Sequence, residues 1–102
     1  MPDFSTAFSI KKNDRKLTHQ ELVRAIRFMI AAEYEAIQLY TQLAESIDND
    51  LAIEVLEDIA NEERVHAGEF LRLLHELAQD EQKYYDEGSK EVEDEIKKLK
   101  RT

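Results

Sequence analysis

The chain has 102 residues, of which 42% are hydrophobic and 36% are charged, with two Gly, one Pro and no Cys. This length fits one small domain, and the absence of Cys excludes disulfides, zinc ribbons and thiolate iron sites. The formal net charge of −9 repels phosphate backbones, so nucleic acid is not an expected partner. No apolar run approaches the roughly 20 residues of a membrane span. No signal-peptide pattern opens the chain, so a cytoplasmic protein without membrane contact is predicted.

The first helix is preceded by a segment without regular structure. Residues 1–17 show no sustained hydrophobic period and are predicted to form a flexible N-terminal arm. Thr18 and Glu21 have the spacing of a capping box, in which each side chain binds the other residue's backbone amide. This pair marks the start of a helix over about 19–46, which the turn-forming residues that follow should end.

A second helix is predicted from about residue 51 into the 80s, and a third near 90–100. Gly88 and Ser89 interrupt the pattern between them, and Ser89 can cap the third helix. That helix carries a narrow apolar stripe and a basic tail. The predicted units are therefore an N-terminal arm, a helical hairpin and a short C-terminal helix with its tail: residues 1–17, 18–87 and 88–102.

An apolar seam runs along each of the two long helices, and ligand-type residues interrupt both seams at mid-length. Successive members are four and three residues apart, so each seam lies on one helical face. The first seam consists of Leu22, Ile26, Met29, Glu33, Ala36, Tyr40, Leu43 and Ile47. The second consists of Ala52, Leu56, Ile59, Glu63, His66, Phe70, Leu73 and Leu77. A buried unpaired carboxylate costs on the order of several kcal/mol, so these seams require a positive partner.

The spacing of Glu63 and His66 matches half of a ferritin-like di-metal site. Folded as an antiparallel hairpin, the chain places Glu33 opposite both residues. Such a site needs a Glu from each of two helices and a Glu-x-x-His from each of two others, and this chain has one of each. The sequence therefore predicts an all-α hairpin that dimerises into a ferritin-like four-helix bundle. Oxygen-rich ligation with one imidazole per metal favours iron or manganese over zinc.

These residues carry a resemblance to the encapsulated ferritins of the ferritin-like and rubrerythrin superfamily. It covers about residues 18–77 and rests on AAEYEAIQLY at 31–40 and EERVH at 62–66. The resemblance implies a ferroxidase that oxidises ferrous iron with dioxygen at a di-iron centre across a homodimer interface. Glu33, Glu63 and His66 would be its ligands. It also implies a ring of dimers that stores iron inside an encapsulin nanocompartment.

Three further residues are candidates for supporting roles. By the same resemblance, Glu35 would attract metal at an outer position and Tyr40 would be an aromatic residue beside the ligands. Glu62 precedes His66 by four residues and is a candidate acceptor for its imidazole. Ala32 departs from the family pattern because some relatives carry another carboxylate there.

Two other functions fit the same sequence. One is a rubrerythrin-like di-metal peroxidase or a manganese catalase, although full rubrerythrins add a four-cysteine iron site that a chain without Cys cannot form. The other is a non-enzymatic helical assembly module in which the acidic seam binds a structural ion. Comparing dioxygen with peroxide as oxidant separates the first from a ferroxidase, and the absence of turnover identifies the second.

Overall fold

The computed structural model describes residues 14–101, which form three α-helices and a short 3-10 turn. Helix α1 spans His19–Glu45 and α2 spans Asp50–Leu77, and the two pack against each other as a hairpin. The 3-10 turn at Gln79–Glu81 leads into α3, which spans Gln82–Lys100. The predicted all-α hairpin with a C-terminal helix is confirmed. Most of the predicted N-terminal arm lies outside the described residues.

The chain between residues 14 and 101 contains no helix that is long and apolar enough to cross a membrane.

The predicted capping box at the start of α1 is confirmed. The Thr18 hydroxyl accepts a hydrogen bond from the Glu21 amide at 3.2 Å, and the Glu21 carboxylate accepts one from the Thr18 amide at 2.8 Å. Arg15 adds two guanidinium hydrogen bonds to the same carboxylate, at 2.8 and 2.7 Å. These contacts fix the first turn of the helix that carries Glu33.

The capping carboxylate gives α1 a pH-dependent component of stability. Hydrogen bonds from Arg15 and from the Thr18 amide lower the pKa of Glu21 from 4.5 to about 2. Because the folded chain holds this pKa below its ordinary value, the stabilisation is complete above about pH 4.5 and is lost as the pH falls towards 2.

We expect Glu21→Gln to lower the melting temperature at pH 7 and to have little effect near pH 2. Thermal unfolding followed by circular dichroism at both pH values measures this. The control is Glu69→Gln, which makes the same change at an exposed position in the C-terminal half of α2. If Glu21→Gln lowered the melting temperature equally at both pH values, the ionised Glu21 carboxylate would not be the source of this stability.

The hairpin interface is displaced from the predicted seam of α1 by about one residue. The buried side chains of this interface are mostly small or β-branched: Val23, Ile26, Ile30, Ala44, Ala60 and Ala67. Leu22, Met29 and Leu43 of the predicted seam remain 37%, 41% and 49% exposed in the hairpin. The alternating spacing of four and three residues follows the centre line of the apolar face of α1. The single neighbouring helix α2 covers only one side of that face. A single hairpin therefore leaves part of the predicted seam exposed.

The break between α2 and α3 lies ten residues earlier than the sequence indicated. Helix α2 ends at Leu77, and Ala78 leaves the helical conformation with φ −129° and ψ 55°. Helix α3 then continues through Gly88 and Ser89. The predicted break at these two residues was wrong because a helical Gly costs only about 1 kcal/mol relative to Ala. Ala78 is buried, so packing determines the break and no local turn signal marks it.

Candidate metal centre

Glu33 of α1 and Glu63 and His66 of α2 converge at the middle of the hairpin. Each offers one ligand atom, and these atoms all lie within 4.8 Å of one another. The His66 Nδ1 atom is 3.8 Å from Glu33 Oε2 and 3.6 Å from Glu63 Oε2. Both distances are too long for hydrogen bonds. They are close to the separation of two atoms that each lie about 2.1 Å from one shared ion.

The Glu33 carboxylate has a buried oxygen that accepts no hydrogen bond from residues 14–101. Its Oε2 atom has no hydrogen-bond partner among the described residues, although the side chain is only 17% exposed. A buried polar atom without a partner costs free energy, and folded proteins rarely retain one. A cation held jointly with Glu63 and His66 would remove this cost, so the three residues fit a metal by the chemistry of the donor set.

The three ligands open onto an uncovered apolar surface. His66 is 48% exposed, and exposed hydrophobic side chains lie along the same side of the hairpin. We call this surface the metal face and define it by Leu22, Met29, Leu43 and Leu73. Met29 lies one turn before Glu33, and Leu73 lies seven residues after His66, so both share a stripe with a ligand. The candidate site is therefore uncovered on this side of the hairpin.

The three supporting candidates lie outside this cluster. Glu35 is exposed and lies about 200° around α1 from Glu33, so the two cannot bind one metal within a single chain. Tyr40 is half-buried seven residues after Glu33, and Glu62 is exposed one turn before His66. Their roles remain predictions.

His19 has a structural contact that sequence reasoning missed. Its Nε2 atom lies 2.8 Å from the Leu77 carbonyl oxygen, at the last residue of α2. The contact joins the start of α1 to the end of α2 and holds the two ends of the hairpin together. Because the two residues are 58 positions apart, no local sequence pattern could have revealed it.

The chain is similar in sequence to a known protein family and to two known proteins. The rubrerythrin family profile matches residues 22–102. Residues of this chain are 41% identical over 64 positions to a ferritin-like-encapsulin shell fusion protein of Pyrococcus furiosus, covering 63% of this chain and 19% of that protein. They are 43% identical over 63 positions to the encapsulin nanocompartment cargo protein EncC of Myxococcus xanthus, covering 62% and 48%. The chain thus spans about a fifth and about half of these two relatives.

A solved structure matches almost the whole chain. The crystal structure of the encapsulated ferritin domain from Pyrococcus furiosus superimposes with a TM-score of 0.81 at 33% sequence identity. The match covers 90% of this chain and 94% of that domain.

Proposed function

This chain belongs to the rubrerythrin family and, within it, to the encapsulated ferritins, and from that premise we propose that it is a ferroxidase. Its substrate is ferrous iron, which it oxidises to ferric iron with dioxygen as the electron acceptor. The observation that carries the proposal is the convergence of Glu33, Glu63 and His66 around a buried carboxylate oxygen without a donor. Iron is the substrate of this reaction, and the same ligand set also accepts manganese.

The site needs a second copy of the chain. A di-iron site of this class takes four carboxylates and two imidazoles, and one chain supplies two carboxylates and one imidazole. A two-fold axis through the metal face would bring together both sets and cover Leu22, Met29, Leu43 and Leu73. The missing ligands and the exposed apolar surface thus point to the same homodimer.

The charge of the ligands gives the site its chemical role. Glu33 and Glu63 present negative charge in a half-buried setting, where electrostatic interactions are stronger than in bulk water. They therefore favour the ferric product over the ferrous substrate, because the product carries the larger positive charge. In the dimer, Glu33, Glu63 and His66 from both copies would hold the two iron ions. A neutral His66 completes the site without adding further negative charge.

Oxidation with dioxygen and with hydrogen peroxide, compared on one sample, tests this function. We expect the absorbance of ferric iron to rise rapidly when dioxygen is the oxidant. We also expect each chain to bind one ferrous ion before oxidation begins. Faster oxidation with peroxide than with dioxygen would favour a rubrerythrin-like peroxidase. Metal binding without oxidation by either would favour a non-enzymatic assembly module.

We also propose that this protein works inside an encapsulin nanocompartment. The support is its similarity to a cargo protein and to a shell fusion protein, each named for that association. Coexpression with an encapsulin shell protein tests this, and we expect the chain to copurify with closed shells. Shells that contain none of the chain would contradict the localisation.

Glu35 should act in iron delivery and not in oxidation. Its carboxylate lies about 200° around α1 from Glu33, outside the three-ligand cluster. We expect Glu35→Ala to slow ferrous uptake at low iron concentration while two iron ions still bind per dimer. Stopped-flow oxidation across an iron titration, with metal content on the same sample, measures both. Loss of the bound metal in this variant would instead make Glu35 a direct ligand.

A further inference from the structure

Met29 is the one thioether on the metal face. The chain contains two Met and neither Cys nor Trp, and Met1 lies outside the described residues. The other residues that define the metal face are all Leu, whose side chain has no atom that accepts oxygen. Met and Leu have similar volumes and replace each other in packed cores with little effect. Packing alone therefore does not require a sulfur atom at this position.

Met29 lies one helical turn from a residue of the candidate metal centre. It precedes Glu33 by four residues, so their Cβ atoms are about 5–6 Å apart on one face of α1. Helical side chains lean towards the N terminus of their helix, which directs the Glu33 carboxylate over the turn that begins at Met29. The thioether is therefore placed beside the cluster of Glu33, Glu63 and His66.

The neighbours of Met29 on α1 leave its side chain open. Met29 is 41% exposed in the hairpin. Ala25 precedes it by four residues, and Ala32 and Ala36 follow it by three and seven, so all three lie on the same side of the helix. Their side chains end at Cβ and do not cover the thioether. An oxidant formed at the cluster can therefore reach the sulfur atom, and an added oxygen has room beside the helix.

The proposed ferroxidase reaction forms such an oxidant beside Met29. Two ferrous ions give up one electron each, and one dioxygen takes up these two electrons together with two protons. The products are two ferric ions and one hydrogen peroxide. Full reduction of dioxygen to water takes four electrons, so two ferrous ions reduce it only to peroxide. Hydrogen peroxide therefore forms at the cluster before it reaches bulk water.

We propose that Met29 is an oxidation site that traps this peroxide, an inference that rests on the ferroxidase function proposed above. A sulfur lone pair attacks one peroxide oxygen, an S–O bond forms as the O–O bond breaks, and water leaves. The sulfur loses two electrons to the peroxide, and the product is methionine sulfoxide, which sulfoxide reductases reverse. Each thioether removes one peroxide, so a dimer with two copies of Met29 removes two.

Leu51→Met provides a reference thioether in the same chain. Leu51 is 72% exposed, against 41% for Met29. It also precedes Glu63 by twelve residues, about 18 Å along α2. Peroxide that arrives from bulk water would therefore oxidise the introduced thioether first. Peroxide formed at the cluster should oxidise Met29 at least about tenfold more than the reference, because proximity raises its effective concentration.

Mass spectrometry of peptides from the Leu51→Met chain measures the added oxygen at both positions. The sample receives one ferrous ion per chain in air-saturated buffer with catalase, which destroys only peroxide that has left the protein. The absorbance of ferric iron is recorded on the same sample. Ferric iron with an unoxidised Met29, or with more oxidation at the reference thioether, would overturn the proposal and leave the ferroxidase function intact. Absence of ferric iron would overturn both.

Met29→Leu tests the trap by removing the sulfur atom. The substitution keeps an apolar side chain of similar size on the metal face. Hydrogen peroxide released per ferric ion is measured without catalase. In the parent chain this release should lag over about the first two turnovers of each dimer, while the thioethers are oxidised. The Met29→Leu chain should show no lag, and equal release by both chains from the first turnover would overturn the proposal.

Discussion

Glu33→Ala, Glu63→Ala and His66→Ala should each lower the initial rate of ferrous oxidation by at least about 100-fold. Residues that merely orient metal ligands typically contribute 10- to 100-fold, and these three are assigned as ligands. Each would also occur twice in the proposed two-fold dimer, so one substitution would remove two of its six ligands. Absorbance of ferric iron after rapid mixing with air-saturated buffer measures the rate.

The matched control is Glu69→Ala, which removes an exposed carboxylate from α2 three residues after His66. It should oxidise iron at the parent rate. The melting temperature of each metal-free variant shows whether a slow rate reflects the missing side chain or an unfolded protein. Glu33→Ala should hold or gain stability, because it removes a buried oxygen without a donor. Activity near the parent rate in Glu63→Ala or His66→Ala would place the chemistry elsewhere.

Removal of metal should weaken the dimer that closes the metal face. Without a cation, four carboxylates converge across the two-fold axis and repel one another. A metal that binds only the assembled site, at 100 times its dissociation constant, would stabilise it by about 2.7 kcal/mol. This corresponds to roughly a 100-fold change in the dimerisation constant. Sedimentation of one sample, first with chelator and then with anaerobic ferrous iron, measures the shift.

Identical mass distributions and melting curves in the two conditions would count against a shared site. The Glu69→Ala variant keeps all three residues of the cluster, so the metal-dependent shift should persist in it.

The cluster of Glu33, Glu63 and His66 could be predicted from the sequence because local spacing determines their positions on each helix. Glu63 and His66 are one turn apart, and Glu33 interrupts a regular apolar seam, so a short hairpin is sufficient to bring them together. The structure places all three within 4.8 Å. The capping box at Thr18 and Glu21 was predictable for the same reason, because its contacts span one helical turn.

Features that depend on packing between distant residues could not be predicted in this way. Ala78 ends α2 at a buried position, and His19 binds the end of α2 across 58 residues. Arg27 and Glu81 form another contact of this kind and set where α3 begins. None has a local signal, whereas Gly88 has a strong one and lies within a continuous helix. Hydrophobic spacing likewise identified the apolar faces without showing which side the hairpin would bury.

The position of iron in crystals of the metal-loaded protein tests the central claim most directly. Anomalous diffraction at the iron edge locates each ion and the chain that supplies each ligand. We predict two ions on either side of a two-fold axis, held by Glu33, Glu63 and His66 from both copies. Iron bound by one chain alone, or at residues other than these three, would contradict a ferroxidase centre shared between two chains.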